Sequence, residues 1–150
     1  MSRSYDIAQA PGHLFRRAQQ IAVAEFMRET AAFDVTPVQF ALLNALIDTP
    51  GVDQITLANR VAFDAATSGS VIGRLEVKGW VRREPDQQDR RRKLLFVTPA
   101  GQKAVSSMKQ AVDRAQQNML APLSAAQQAV FMKLLAQLVA SHEAADSAPR

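Results

Sequence analysis

Apolar residues recur every three or four positions along most of the chain, which is the spacing of a helix with one buried face. From His13 to Thr30 the rhythm is carried by Leu14, Ala18, Ile21, Ala22 and Phe26, with no internal Gly or Pro. Pro11 and Gly12 separate this stretch from a loose lead-in, Met1–Ala10. Thr36-Pro37 opens a second helix, because Thr caps and Pro suits the first helical position. Its stripe is Phe40, Leu43, Leu46 and Ile47, and Thr49-Pro50-Gly51 ends it. A shorter third helix starts at Asp53 or Gln54 and turns Leu57, Ala58 and Val61 inward. Asp64 caps a fourth over Ala65–Lys78, with Val71, Ile72 and Leu75 buried and Gly79 as the left-handed stop. The period then shortens in two strand-like runs, Trp80–Arg83 and Lys93–Thr98, joined by the polar stretch Pro85–Arg92. Pro99 opens a long helix over Ala100–Asn118, and Pro122 interrupts the pattern. Ser124 caps a last helix whose apolar face is Val130, Phe131, Leu134, Leu135, Leu138 and Val139. Ala144–Arg150 reads as a frayed tail.

The predicted order is four helices, a hairpin and two helices: a mainly α fold with a small β-hairpin. Two short helices followed by a charged hairpin make a winged helix-turn-helix, here over residues 36–98 of a single 150-residue chain. A winged helix needs far fewer residues than this. The remaining helices, within 11–32 and 99–143, come from opposite chain ends. The last has an apolar face broader than one partner requires. It reads either as an association surface or as packing within the chain.

Composition narrows the class. Apolar residues make up 47% and charged residues 21%, ordinary for a globular domain. There is no Cys, which excludes a disulfide framework, a thiolate metal site and a thiol nucleophile. No apolar run approaches the ~20 residues of a membrane span, and no targeting pattern opens the chain, so a cytoplasmic protein without a membrane partner is expected. His13 and His142 stand at opposite ends. Neither a His-x-x-x-His, a Gly-rich phosphate loop nor a Gly-x-Ser-x-Gly appears, so neither an enzyme nor a cofactor is expected.

Charge adds the decisive asymmetry. Between Arg74 and Lys93 stand eight basic and four acidic residues, an excess that equals the net +4 of the whole chain. A local basic excess marks a polyanion site, and on charge alone it reads equally as a solvated face. Its setting favours double-stranded DNA. The helix Ala65–Lys78 has the size to enter a major groove. Its first turns offer Thr67, Ser68 and Ser70 among small residues that let the backbone approach, and Arg74 lies a turn deeper. The hairpin tip carries Arg90, Arg91, Arg92 and Lys93 in a row. An arginine there can enter a narrow minor groove. Asp89, two residues before Arg91, is placed to brace its guanidinium.

These motifs resemble those of MarR-type transcriptional regulators. The wing signature of that family, Asp-Arg-Arg, an apolar alternation, Leu-Thr and a Gly three residues on, is matched by Asp89-Arg90-Arg91, Leu94-Leu95-Phe96 and Val97-Thr98-Pro99-Ala100-Gly101. Val97 replaces the usual Leu. Leu75-Glu76-Val77-Lys78-Gly79-Trp80-Val81 is similar to the exit of its recognition helix, and Leu57-Ala58 to the recurring pair of its preceding helix. Ala65–Ser70 departs from the family in having few long polar side chains.

The resemblance implies that Asp89 and Arg91 act together at the minor groove, with Arg90, Arg92 and Lys93 as backbone contacts or solvated neighbours. It also implies a homodimer paired through helices from both termini, reading a near-palindromic operator. It further implies release from DNA by a small aromatic or phenolic ligand, often anionic. His13, Arg16 and Arg17, with Gln19 and Gln20, are the candidate ligand residues, in a segment similar to the aromatic-acid-responsive branch. The structural alternative for them is a surface or dimer ion-pair cluster. The competing function is an architectural, sequence-indifferent DNA-binding protein; a winged helix used for protein contacts is a further one.

Overall fold

A computed structural model describes residues 6–146. After a 3-10 turn at Ile7–Gln9, helix α1 runs over Pro11–Glu29, followed by a second 3-10 turn, Ala31–Phe33. Then come α2 (Pro37–Asp48), α3 (Gln54–Arg60), α4 (Ala65–Val77), β1 (Val81–Pro85), β2 (Lys93–Val97), α5 (Pro99–Leu120) and α6 (Ala125–Asp146). The order is the one expected from the pattern. Pro11 does not break the chain but opens α1 at its first position. The supposed tail is helical as far as Asp146, and the residues beyond it lie outside those described, as do the first five. No single helix among the described residues is long and apolar enough to cross a membrane.

Side chains set the helix starts. Thr36 accepts from the Gln39 amide at 3.2 Å while the Gln39 side chain accepts from the Thr36 amide, a reciprocal box that closes the first turn of α2. Asp53 caps α3 through the Thr56 amide at 2.8 Å, and Asp64 caps α4 through the Thr67 amide at 2.7 Å. Gly79, at φ 72°, lets α4 end with two bonds, Trp80 N–H to Leu75 C=O and Gly79 N–H to Glu76 C=O. That turn sends the chain directly into β1.

Strands β1 and β2 pair antiparallel from Val81 opposite Val97 to Pro85 opposite Lys93. Gly51 and Val52 add one short rung: the Leu95 amide donates to Val52 C=O at 2.9 Å and the Gly51 amide to Leu95 C=O at 2.8 Å. The core has two centres. Leu42, Leu43, Leu46, Leu57, Ile72, Leu75, Val81 and Leu95 join α2, α3, α4 and the hairpin. Phe26, Val35, Met108 and Val112 join α1 to α5. Trp80 packs against both, so the root of the hairpin is tied to each lobe. Helix α6 contributes no buried residue.

Candidate nucleic-acid interface

The hairpin root is the most constrained part of the site. Thr98 caps α5 through the Gly101 amide at 3.1 Å and donates its hydroxyl to Gly79 C=O at 2.6 Å. Its own amide donates to Trp80 C=O at 2.9 Å. One threonine therefore joins the end of α4, the start of β1 and the start of α5. Gly101 is the residue that lets them meet, because a Cβ there would lie 2.3 Å from the Trp80 carbonyl oxygen.

Two ionic contacts hold the hairpin against the helices. Arg83 of β1 donates to Glu76 of α4 at 2.6 Å and to the Gln54 side-chain oxygen of α3 at 3.1 Å. Gly69 leaves the space that the Gln54 amide occupies: a Cβ there would meet its Nε2 at 2.7 Å. Arg92 donates from Nε to Asp53 Oδ2 at 2.9 Å and lies 3.8 Å from Asp86 Oδ2. The Thr56 amide, then the Thr56 hydroxyl, and Arg92 more weakly, hold the Asp53 carboxyl below the usual carboxylate range. Asp64 is lowered for the same reason, with the Thr67 amide first and its hydroxyl second.

The predicted reading residues separate on this frame. Thr67, Ser70 and Arg74 are exposed, at the three- and four-residue spacing of one helix face. Thr67, however, gives its hydroxyl proton to Asp64 Oδ2 at 2.7 Å, so its oxygen is left to accept rather than to donate to a phosphate. Ser68 is fully buried beside Ile72 and Leu75 on the opposite face, and its hydroxyl has no hydrogen-bond partner. It is therefore not the surface contact that its polar side chain suggests.

The wing tip also differs from expectation. Asp89 and Arg91 lie in a turn closed by the Arg92 amide on Asp89 C=O. Asp89 Oδ1 accepts from the Arg91 amide at 3.0 Å and does not hold its guanidinium. The turn thereby fixes the Arg91 backbone and leaves its side chain outward. Arg74, Arg90, Arg91 and Lys93 are exposed and make no ion pair among the described residues. Arg92 is not one of these open cations, because Asp53 and Asp86 engage it.

A cleft of about 800 Å³ opens beside α4, along its Ser70 and Arg74 side. Met27 and Thr30 line it from the end of α1, Val35, Thr36 and Gln39 from the start of α2, and Ser70, Arg74, Val77 and Lys78 from α4 and its end. Lys78 reaches across to Asp34, its Nζ 3.3 Å from Oδ2, and lies over the Trp80 ring at 4.7 Å. The expected ligand residues are elsewhere. Arg17 precedes Met27 by ten residues on α1, roughly 15 Å along the axis. Within one chain neither His13, Arg16 nor Arg17 lines the cleft. Arg16 donates to His13 Nδ1 at 2.9 Å, while Arg17 turns to Gln20.

Local sequence carries no signal for the Arg83–Gln54 and Arg92–Asp53 contacts, whose partners stand 29 and 39 residues apart. The Thr98–Gly101 spacing is visible in the chain, and the structure supplies its reason.

Comparison with known proteins agrees with this architecture. The MarR family model matches residues 33–92. The transcriptional regulator HosA of Escherichia coli O127:H6 is 32% identical over 127 residues, which cover 85% of this chain and 93% of HosA. The PcaV transcriptional regulator of Streptomyces coelicolor, solved in complex with its natural ligand, superposes with a TM-score of 0.82 at 35% identity, over 94% of this chain and 99% of PcaV. BpsR of Bordetella bronchiseptica, whose DNA binding is regulated by 6-hydroxynicotinic acid, superposes with a TM-score of 0.85 at 30% identity, over 91% of this chain and 98% of BpsR.

Proposed function

The chain belongs to the MarR family of DNA-binding transcriptional regulators, and on that premise we propose that it is a dimeric repressor of a near-palindromic operator, released by a small aromatic anion. The observation that carries the DNA part is the set of open cations. Arg90, Arg91 and Lys93 project from the wing tip and Arg74 from α4, while the other cations of the basic segment are engaged by acidic or aromatic neighbours or, for Arg83, by Glu76 and Gln54. In this reading α4, over its exposed Thr67, Ser70 and Arg74 face, enters the major groove. Arg91, presented by the Asp89 turn, enters the flanking minor groove. Arg90 and Lys93 neutralise phosphates. Residues 36–98 form the DNA-binding lobe, and helices within 11–32 and 99–143 form the dimer.

The ligand part rests on the cleft. Its wall is α4 itself, so a molecule seated against Ser70, Arg74 and Val77 presses on the element that reads DNA. A ligand that binds one arrangement of α4 better than another shifts the population toward it. BpsR, similar over nearly the whole chain and regulated by 6-hydroxynicotinic acid, makes an aromatic acid the first choice. His13, Arg16 and Arg17 meet such a ligand only where the two-fold brings the first two turns of one α1 to the partner's cleft.

Fluorescence anisotropy with the duplex flanking the protein's own gene tests the first part. Affinity is expected to fall steeply with salt and to exceed that for random duplex. Equal affinity for both would mean an architectural protein. For the second part, benzoates, cinnamates and hydroxynicotinates are expected to raise the melting temperature and to weaken operator binding. Arg74→Ala should reduce the shift, and Arg17→Ala reports on the α1 cluster. A panel without any shift would remove the effector from the proposal.

A further inference from the structure

The tip of the wing, residues 86–93, buries nothing. Every side chain in it is exposed except the half-buried Asp86. A two-stranded ribbon is marginal by itself, and the apolar anchors of this one, Val81 and Leu95, lie on the strands below the tip. The bonds that fix the tip converge on Arg92. Its carbonyl accepts from the Asp86 amide at 2.9 Å, and its amide donates to Asp89 C=O at 2.9 Å. Its guanidinium then reaches Asp53 Oδ2, whose other oxygen caps α3. Asp53 is therefore shared: Oδ1 holds the helix and Oδ2 holds the wing.

We propose that Arg92 is a positioning residue for DNA recognition: paired with Asp53 and Asp86, it sets the wing tip at a fixed place relative to α3 and α4, so that Arg90 and Arg91 reach the duplex in register with the reading helix. The proposal rests on the DNA-binding reading above. It separates Arg92 from the three cations beside it. A cation already neutralised by two carboxylates adds little to phosphate binding. Its worth lies in the geometry it gives Arg90 and Arg91. Without it, each encounter would have to order the tip as well as bind it.

Charge and geometry make opposite forecasts for Asp53. Asn caps a helix about as well as Asp, so Asp53→Asn spares α3. Electrostatics alone expects it to tighten DNA binding by removing a negative charge, whereas the positioning role expects it to weaken binding. The probe is a labelled duplex selected from a randomised pool by the wild-type protein, titrated across a range of salt. We expect Arg92→Gln and Asp53→Asn each to weaken the selected duplex about fivefold, the scale of an exposed ion pair counted in two wings.

The charge-neutral double variant should be no weaker than either single one on the selected duplex and unchanged on random duplex. Its salt dependence should match wild type. Arg90→Gln, by contrast, should flatten the log–log slope by about 0.9 for each phosphate left without its cation. Arg92→Lys should restore part of the affinity. A flattened slope in the double variant, tighter binding by Asp53→Asn, or unchanged affinity in both single variants would overturn the proposal. If wild type selected no sequence, the regulator reading would fail first. Hydrogen exchange of the free protein would still decide the clamp, with faster exchange at the Asp86 and Arg92 amides in both variants expected and unchanged protection overturning it.

Discussion

A methyl group at position 101 has no room. Its carbon would stand 2.3 Å from the Trp80 carbonyl oxygen and 2.7 Å from a Val97 methyl, and the first of these is backbone that cannot rotate away. Gly101→Ala is therefore expected to destabilise the chain by about 2–3 kcal/mol, the cost of forced overpacking, visible as a lower melting temperature. Ser68 presents the reverse case. Its hydroxyl is buried without a partner, and a buried donor left unsatisfied costs roughly 1–3 kcal/mol. Ser68→Ala removes that cost and leaves the packing on Ile72 and Leu75 in place. Denaturant unfolding should find the variant as stable as wild type or about 1 kcal/mol more stable. Loss of operator affinity without loss of stability in Ser68→Ala would restore the surface role that its burial removes. Sequence alone misplaces Ser68 because periodicity gives the angle of a residue around the helix only to within its neighbours, and small polar side chains do not announce which side of the boundary they occupy.

At the scale of the element, α3 and α4 begin on carboxylates and are therefore sensitive to acid. Both Asp53 and Asp64 have folded-state values below the ordinary carboxylate range, set first by the backbone amides they accept from. For such groups the stabilisation is complete above the unfolded-state value, about 4. It is lost as pH falls through the lowered folded value. Melting temperature should therefore hold near neutrality and fall below about pH 4. In the double variant Asp53→Asn, Asp64→Asn, whose side chains cap without titrating, the fall should be shallower. An identical acid profile would mean that the caps carry no linkage. The hairpin is legible as an element because its apolar alternation is local. What fastens it is not, since Arg83 and Arg92 find their partners on α3 and α4 after the chain has folded back.

For the whole molecule the telling surface is α6. Val130, Phe131, Leu134, Leu138 and Val139 remain 42–58% exposed, and Leu14, Phe15 and Ile21 of α1 are similarly uncovered. Helix α6 turns 98° away from α5 and buries no residue of its own. Large apolar side chains left uncovered along two helices mark an association surface, which supports the proposed dimer through α1 and α6. Wild type should sediment as a dimer, and its melting temperature should rise with concentration. Leu134→Glu, a charge on the exposed face, should give a monomer that binds operator poorly. A monomeric wild type would leave the apolar face unexplained and the palindrome without a reason.

By itself the sequence determined the elements, their order and the basic hairpin, because helical and strand periods, caps and turn residues act over a few positions. It also placed the Thr98–Gly101 motif, which is local. Only the tertiary structure decided which cations are open, which serine is buried and where a cleft forms, because each depends on groups tens of residues apart. The run Arg90–Lys93 is uniform in sequence, and the fold divides it: Arg92 meets Asp53 across the lobe, while its neighbours stay in solvent.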